Sequence, residues 1–306
     1  MSKVTYSYDY SPVISRKPFK LPKGARVIVF PTVNIEYWEA IPRPGKLAYP
    51  GGPNILPLPL PQGVPDLINH TWREYGHRVG IWRIMKVLDK YGVRAAATLN
   101  TGLGKKYPII VEEAKKRGWE FTAHSSIEND LLVNFADKPK EEEKYIRRTL
   151  KEYKEVVGIK SRGWLSPSIS PTINTLDILT REGVDYFCDF ANDDEPYQIK
   201  VGDKTIVSIP YTPELNDYPL FLRQFHTRDE VFGIFKEAFD TLYEEGKESG
   251  KIMNIGLHPH VIGQPHRIGT LDKTLAYMKQ FKGVIFGTRT ELCDWYQSTV
   301  LRKGQR

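Results

Sequence analysis

Short aliphatic and β-branched runs alternate with longer segments of helical periodicity along most of this chain. Ala25 to Val33 is apolar at almost every position, the pattern of a strand buried on both faces. Shorter runs of the same kind follow at Val93 to Leu99, Trp119 to Ala123, Gly163 to Leu165, Asp185 to Asp189, Thr205 to Ile209, Ile252 to Leu257 and Val284 to Gly287. Between them lie segments that predict helices: His77 to Tyr91, Lys106 to Arg117, Lys140 to Val157, Thr172 to Glu182, Arg228 to Glu245 and Leu271 to Phe281. Gly92, Gly118, Gly158 and Gly183 stand where helix-ending glycines belong. Seven or eight strands alternating with helices predict a parallel sheet. That number of units predicts closure into a distorted (β/α) barrel, an α/β fold, rather than an open sheet.

Residues 1–24 are aromatic, rich in Pro and Lys and without periodicity, so they read as an arm laid on the surface or on another subunit. Residues 25–300 form the barrel domain. Within it, the stretch from Ile41 to Pro65 is dense in Pro and Gly, which forbids regular structure and predicts a long, stiff loop that covers or builds a site.

The unusual polar residues fall just past the carboxyl ends of the predicted strands, where barrel enzymes build their sites. They are Asn34 and Glu36, His124 and Glu128, Trp164 and Ser166, Asp189, Tyr211, and His258 and His260, with Asn216 in the loop after Tyr211. If the residues after His124 turn helically, His124 and Glu128 share one face and reach one metal ion, water or substrate group. The plainer alternative makes Glu128 the acid of a Ser-x-x-Glu capping box begun by Ser125. Two histidines flanking Pro259 in an extended segment point to opposite faces, so one of them, His258 before His260, is expected to face the site.

Composition narrows the class without deciding it. A hydrophobic content of 40% and a charged content of 26% are those of a soluble globular protein. The formal charge of +7 is spread over helices that also carry Glu, as in Lys140-Glu141-Glu142-Glu143-Lys144, so a nucleic-acid partner is not expected. No apolar run is long enough to span a bilayer and no signal-peptide core opens the chain, which predicts no membrane partner and a cytoplasmic location. Cys188 and Cys293 read as separate buried thiols.

The order and spacing of these residues resemble the polysaccharide deacetylase family, and within it the allantoinase-like branch, over roughly residues 25 to 295. The family's first motif ends strand one with a pair of carboxylates, a place held here by Asn34 and Glu36. Its second, His-Ser/Thr-x-x-His, is matched by His124-Ser125-Ser126-Ile127-Glu128, its third by Arg162-Gly163-Trp164-Leu165-Ser166-Pro167, and its fourth by an acid near Asp189. Its last stands as Leu257-His258-Pro259-His260. The stretch through Gln264-Pro265-His266-Arg267, with Trp72-Arg73-Glu74-Tyr75-Gly76 and Leu215-Asn216-Asp217, is similar to the allantoinase-like branch. Two departures stand out. Asn34 replaces the usual catalytic carboxylate, and an Asn cannot be a general base; Glu128 replaces the second ligand histidine.

The resemblance implies hydrolysis of a carbon–nitrogen bond other than a peptide bond; a small, deep site narrowed by the Pro-rich loop suits a small-molecule substrate, and the aromatic N-terminal arm points to a homo-oligomer. Glu36, His124, Arg162, His258 and His260 are the implied catalytic group, with Asn34, Trp164, Asp189, Tyr211 and Asn216 around the substrate. Glu36, His124 and Glu128 make a two-carboxylate, one-histidine set suited to one divalent ion, zinc first. The branch also includes members that work without a metal, so one ion and none both stand open. A barrel that lost catalysis and kept ligand binding is the alternative that Asn34 and Glu128 suggest. A carboxylate-pair glycosidase is a third.

Overall fold

The computed structural model describes residues 5–40 and 64–301. Its centre is strand β2 (Val27–Ile35), buried at all nine positions. Along Val27 to Val33 it pairs in parallel with β9 (Lys251–Leu257); Val27 to Val29 also pair with β10 (Val284–Phe286), and Asn34 and Ile35 with β3 (Ala96–Leu99). From β3 the sheet continues in parallel through β4 (Glu120–Ala123), β5 (Gly163–Trp164), β6 (Tyr186–Phe187) and β8 (Lys204–Ser208). These eight parallel strands are the ones the apolar runs predict.

The expected closure is not completed by strand pairing, because β8 and β9 form no ladder with each other and the sheet is open there. Loops close that side. The Ile252 N–H donates to the Asp194 carbonyl at 2.9 Å and the Gly256 N–H to the Leu215 carbonyl at 2.8 Å. Two short strands were not foreseen: β7 (Tyr197–Val201) forms an antiparallel hairpin with β8, and β1 (Tyr6–Ser7) adds to its free edge. The N-terminal arm is thus tied down, with Arg16 also clamping Asp193 at 2.5 Å. The Pro-rich loop falls, from residue 41 to 63, outside the described residues.

Strand periodicity sorts the core into two layers. Val27, Val29, Val33 and Ile35 face outward into a cluster shared with the helices. Ile28 and Phe30 face the barrel interior, where they meet Tyr186, Cys188 and Val207. Asn34 and Glu36 continue the inward series, which is why a chain that must bury Phe30 inside the barrel delivers Glu36 to its mouth. The interior is tightly filled: a Cβ on Gly163 would lie 1.9 Å from the Tyr186 ring. Gly163→Ala is therefore expected to cost about 3 kcal/mol of stability in a urea melt, because neither the strand nor a fully enclosed ring can give way.

Six helices follow the predicted spans with small shifts, α2 (Ile81–Lys90), α4 (Pro108–Lys116), α5 (Pro139–Val157), α6 (Thr175–Arg181), α8 (Arg228–Glu245) and α9 (Ile268–Met278); α1 (Leu67–Tyr75), α3 (Thr101–Lys106), α7 (Asp217–Leu222) and α10 (Arg289–Trp295) add to them. Gly158 ends α5 at a φ of 91°, and a Thr227–Glu230 capping box starts α8. Helix α1 runs into α2 through a wide π-type turn at Gly76–Gly80.

Candidate active site

A cavity of about 350 Å³ opens at the carboxyl end of the barrel, lined by Asn34, Glu36, His124, Glu128, Tyr211 and His258 among others. Three strand ends supply its floor: Glu36 after β2, His124 after β4 and His258 after β9. Asn100, buried just past β3, ties two of them together. Its Oδ1 accepts from the Tyr37 N–H at 2.8 Å, and its amide donates to the His124 carbonyl. An isolated Asn at a strand end gives no sequence signal for that bridge.

Glu36 and the two histidines form one array. Glu36 Oε1 lies 3.1 Å from His258 Nε2 and 3.9 Å from His124 Nε2, while Oε2 accepts from the Trp38 indole at 3.2 Å. His258 Nδ1 lies 2.7 Å from Asp217 Oδ1, and Asp217 Oδ2 accepts from the His258 and Ile262 N–H groups. A ring with carboxylates at both nitrogens binds its second proton tightly. Burial works against the charge on His258, but Glu36 and Asp217 outweigh it and raise the ring's pKa to about 10. Burial likewise opposes the charge on Glu36, and the His258 cation beside it pulls that carboxyl down to about 2.

His124 and Glu128 do meet, though not on a helix. Ser125 takes a φ of 61° and the segment is an irregular turn, so the helical expectation and its capping box both fail. The turn is pinned from outside, by the Thr101 and Gly102 N–H groups on the Ser125 and Ser126 carbonyls and by the Glu128 N–H on the Tyr37 carbonyl. His124 Nδ1 lies 2.7 Å from the Leu165 carbonyl, which fixes the proton there and points Nε2 at Glu128 Oε2, 3.1 Å away. Glu128 Oε1 accepts from the Ser168 N–H and hydroxyl at 2.8 and 3.1 Å, which leaves the buried Oε2 to face His124 Nε2. Against the opposing effect of burial, Glu128 and Glu36 raise His124 to about 9.

One ligand atom each from Glu36, His124 and Glu128 lies within 4.8 Å of the others. Each carboxylate turns one oxygen inward, Glu36 Oε1 toward His258 and His124 and Glu128 Oε2 toward His124, and once Nε2 is deprotonated His124 would present a lone pair between them. The donor set therefore fits a divalent ion.

The substrate-side residues divide. The Tyr211 hydroxyl accepts from the Asn216 amide at 2.9 Å and the Asn34 amide at 3.4 Å, and Asn34 in turn accepts from Thr98 at 2.9 Å. All three of Asn34, Tyr211 and Asn216 line the cavity. Trp164 does not; it is a fully buried core residue whose indole donates to the Ser166 hydroxyl at 3.0 Å. Asp189 sits behind the site, accepting from the Ser166 N–H at 2.7 Å, and burial pushes its carboxyl up to about 7.

Arg162 and His260 are not brought to the cavity. Arg162 precedes β5, so it emerges at the opposite rim of the barrel and pairs with Asp185 and Asp294 at 2.5 and 2.6 Å. The extended segment expected around Pro259 is instead a turn, closed by the Val261 and Ile262 N–H groups on the His258 carbonyl, and His260 packs edge-on against Trp72 at 4.4 Å with its ring 5.7 Å from that of His258. The residues missed by sequence reasoning are partners of the array: Trp38, His77, Asn100, Ser168 and Asp217. Only Asp217 carried a signal, as the neighbour of Asn216 in a stretch similar to the allantoinase-like branch.

Comparison with known proteins agrees with this geometry. Residues 68–187 match the family model of polysaccharide deacetylase. A putative polysaccharide deacetylase of Schizosaccharomyces pombe (strain 972 / ATCC 24843) is 30% identical over 241 residues, covering 72% of this chain and 73% of that protein. The chain belongs to the polysaccharide deacetylase family. As a polysaccharide deacetylase family member it is a hydrolase of carbon–nitrogen bonds other than peptide bonds. Among solved structures, a probable polysaccharide deacetylase from Pseudomonas aeruginosa PAO1 superposes with a TM-score of 0.79 at 26% identity, covering 91% of this chain and 94% of that one. PuuE allantoinase superposes with a TM-score of 0.80 at 25% identity, covering 95% and 99%. The family resemblance and the α/β fold of parallel strands expected from alternation are both borne out.

Proposed function

We propose that the protein hydrolyses a carbon–nitrogen bond of a small amide, cyclic amide, ureide or N-acetyl compound at the Glu36–His124–Glu128–His258 pocket. The observation that carries this is the placement of Glu36 Oε1 between His124 and His258, with Glu128 Oε2 on the other side of His124 Nε2 at 3.1 Å, in a cavity of about 350 Å³. That volume suits a small molecule better than a polymer chain. Glu36, His124 and Glu128 are the residues that would hold a divalent ion, zinc first, and such an ion when bound lowers the pKa of a water beside it.

The chain's own groups divide the remaining work. Glu36 and Glu128 hold a water by their inward-facing oxygens, Oε1 and Oε2, and take up its proton as the water's oxygen bonds to the substrate carbonyl carbon. The Tyr211 hydroxyl already accepts from two amides, so its proton is left to donate into the pocket. Burial holds the Tyr211 phenol above its usual range, which keeps that proton in place. It is the donor for the oxygen that gains charge as the carbonyl becomes tetrahedral. When the carbon–nitrogen bond breaks, His258 passes its Nε2 proton to the leaving nitrogen, and the proton held on the carboxylate restores the ring. Asn34 makes no chemical step; it orients Tyr211.

A screen for ammonia or amine release from acetamide, N-acetylglucosamine, hydantoin and allantoin tests the reading. Release from at least one of them is expected, and binding without release would refute it. On the substrate with the highest rate, Tyr211→Phe is expected to lower kcat about 10²-fold. Its KM should change little, since the lost donor acts where charge develops; a change confined to KM would place Tyr211 in binding alone.

A further inference from the structure

The helical segment that crosses behind the site is interrupted where it comes nearest to Glu36. Gly76–Gly80 forms a π-type turn, an expansion often found at functional sites. His77 within it is buried and puts Nε2 2.7 Å from the Glu36 carbonyl oxygen. A carbonyl only accepts, so Nε2 carries the proton and the ring is the donor. Nδ1, also buried, has no hydrogen-bond partner among the described residues. Packing alone would be better served by an apolar ring of similar size, which leaves no polar atom unpaired.

The same turn presses on the segment that carries His258. A Cβ on Gly76 would lie 2.7 Å from the His260 nitrogen, and one on Gly80 would lie 1.9 Å from the Pro259 carbonyl oxygen. Only glycine lets the two backbones approach so closely. One turn earlier, the Arg73 guanidinium stacks over the Trp38 ring at 4.0 Å, and the Trp38 indole donates to Glu36 Oε2 at 3.2 Å. Arg73 to Gly80 therefore touches the backbone of Glu36, the partner of its side chain, and the chain on either side of Pro259.

We propose that this wide turn is a positioning device for the reaction, with His77 as its key residue. By holding the Glu36 carbonyl, the His77 Nε2–H sets where the Glu36 carboxylate stands relative to His258. His77 is not among the residues that line the cavity; it acts through Glu36, and the inference rests on the role proposed for Glu36 above.

The test compares donorless and donor side chains at one position. His77→Phe keeps a ring of similar size and removes the donor, and His77→Met does the same where the bulk of Phe prevents folding; His77→Gln returns an N–H near the original Nε2. On the substrate with the highest release rate in the panel, the donorless variants are expected to lose about 10²-fold in kcat with little change in KM. His77→Gln should recover most of that loss. A second readout needs no substrate: in crystals of the donorless variants Glu36 Oε1 leaves contact with His258 Nε2, and in His77→Gln the contact returns. Wild-type kcat in a folded donorless variant, with the Glu36–His258 contact kept, would overturn the inference. If Glu36→Gln is inactive and the donorless variants are fully active, this inference alone fails; if Glu36→Gln is itself fully active, the reading beneath it fails.

Discussion

Glu36→Gln is expected to lower kcat by about 10³-fold while leaving the fold intact. The substitution keeps the volume and one acceptor oxygen, so Trp38 or His258 retains a partner and the melting temperature should move little. What disappears is the charge. A neutral amide cannot take a proton from water, and it no longer stabilises the His258 cation. The His258 pKa, raised to about 10 with Glu36 in place, should fall toward its ordinary value. Loss of rate together with a lowered His258 pKa, read by NMR of the imidazole, separates removal of a catalytic charge from general damage. A variant with wild-type turnover would show that Glu36 is not the centre of the site.

Asp217→Asn attacks the same array from behind and is expected to lower kcat by about 10²-fold. Asp217 accepts from His258 Nδ1 at 2.7 Å and from two backbone N–H groups. With an amide nitrogen facing Nδ1, the ring must accept there, so it becomes neutral with its only proton on Nε2. The pH profile gives the sign. His258 bound in its cationic form works at any pH below its pKa, so the wild-type rate should hold through neutrality and fall as pH rises through about 10. In Asp217→Asn the fall should begin at a lower pH. Stability follows the same linkage: the contribution of the His258 charge is complete below the unfolded pKa of about 6.5 and is lost as pH rises through the folded value. An alkaline limb that does not move would show that Asp217 leaves the proton affinity of His258 unchanged.

The barrel was legible because its signal is repeated along the chain. β2 reads as a strand from its apolar run alone, and the inward series from Phe30 to Glu36 is simple alternation. Strand-end placement then brought Glu36, His124, Glu128 and His258 into view before any coordinates. The failures have equally local causes. His124 and Glu128 meet through a turn held by Thr101, Gly102 and Tyr37, contacts from distant parts of the chain that spacing cannot reveal. Arg162 was placed at the site from motif order, although a residue before a parallel strand belongs to the opposite rim. β1 is only two residues long, too few for alternation to register, and it adds to the edge of β7; β7 itself alternates over five residues, Tyr197 to Val201, a signal that the loop residues before it obscured. His77 and Asn100 act through backbone carbonyls and amides, which leave no trace in side-chain patterns.

Asn34 and Glu128, the two departures from the family pattern, take on different meanings in three dimensions. Asn34 holds the Tyr211 hydroxyl and could not have served as a base. Glu128 keeps an inward-facing oxygen where the pattern has a histidine, so the place of a ligand is filled by a harder donor. Together they describe a site whose negative charge rests on Glu36 and Glu128 rather than on a pair of acids at the end of β2.

The most direct test is product analysis with the wild-type protein in ¹⁸O-labelled water over the amide, N-acetyl and ureide panel. The expected result is one labelled oxygen on the carbonyl carbon of the product for each amine or ammonia released. Recovery of every compound unchanged, or nitrogen release without label on that carbon, would contradict hydrolysis by a water held at Glu36.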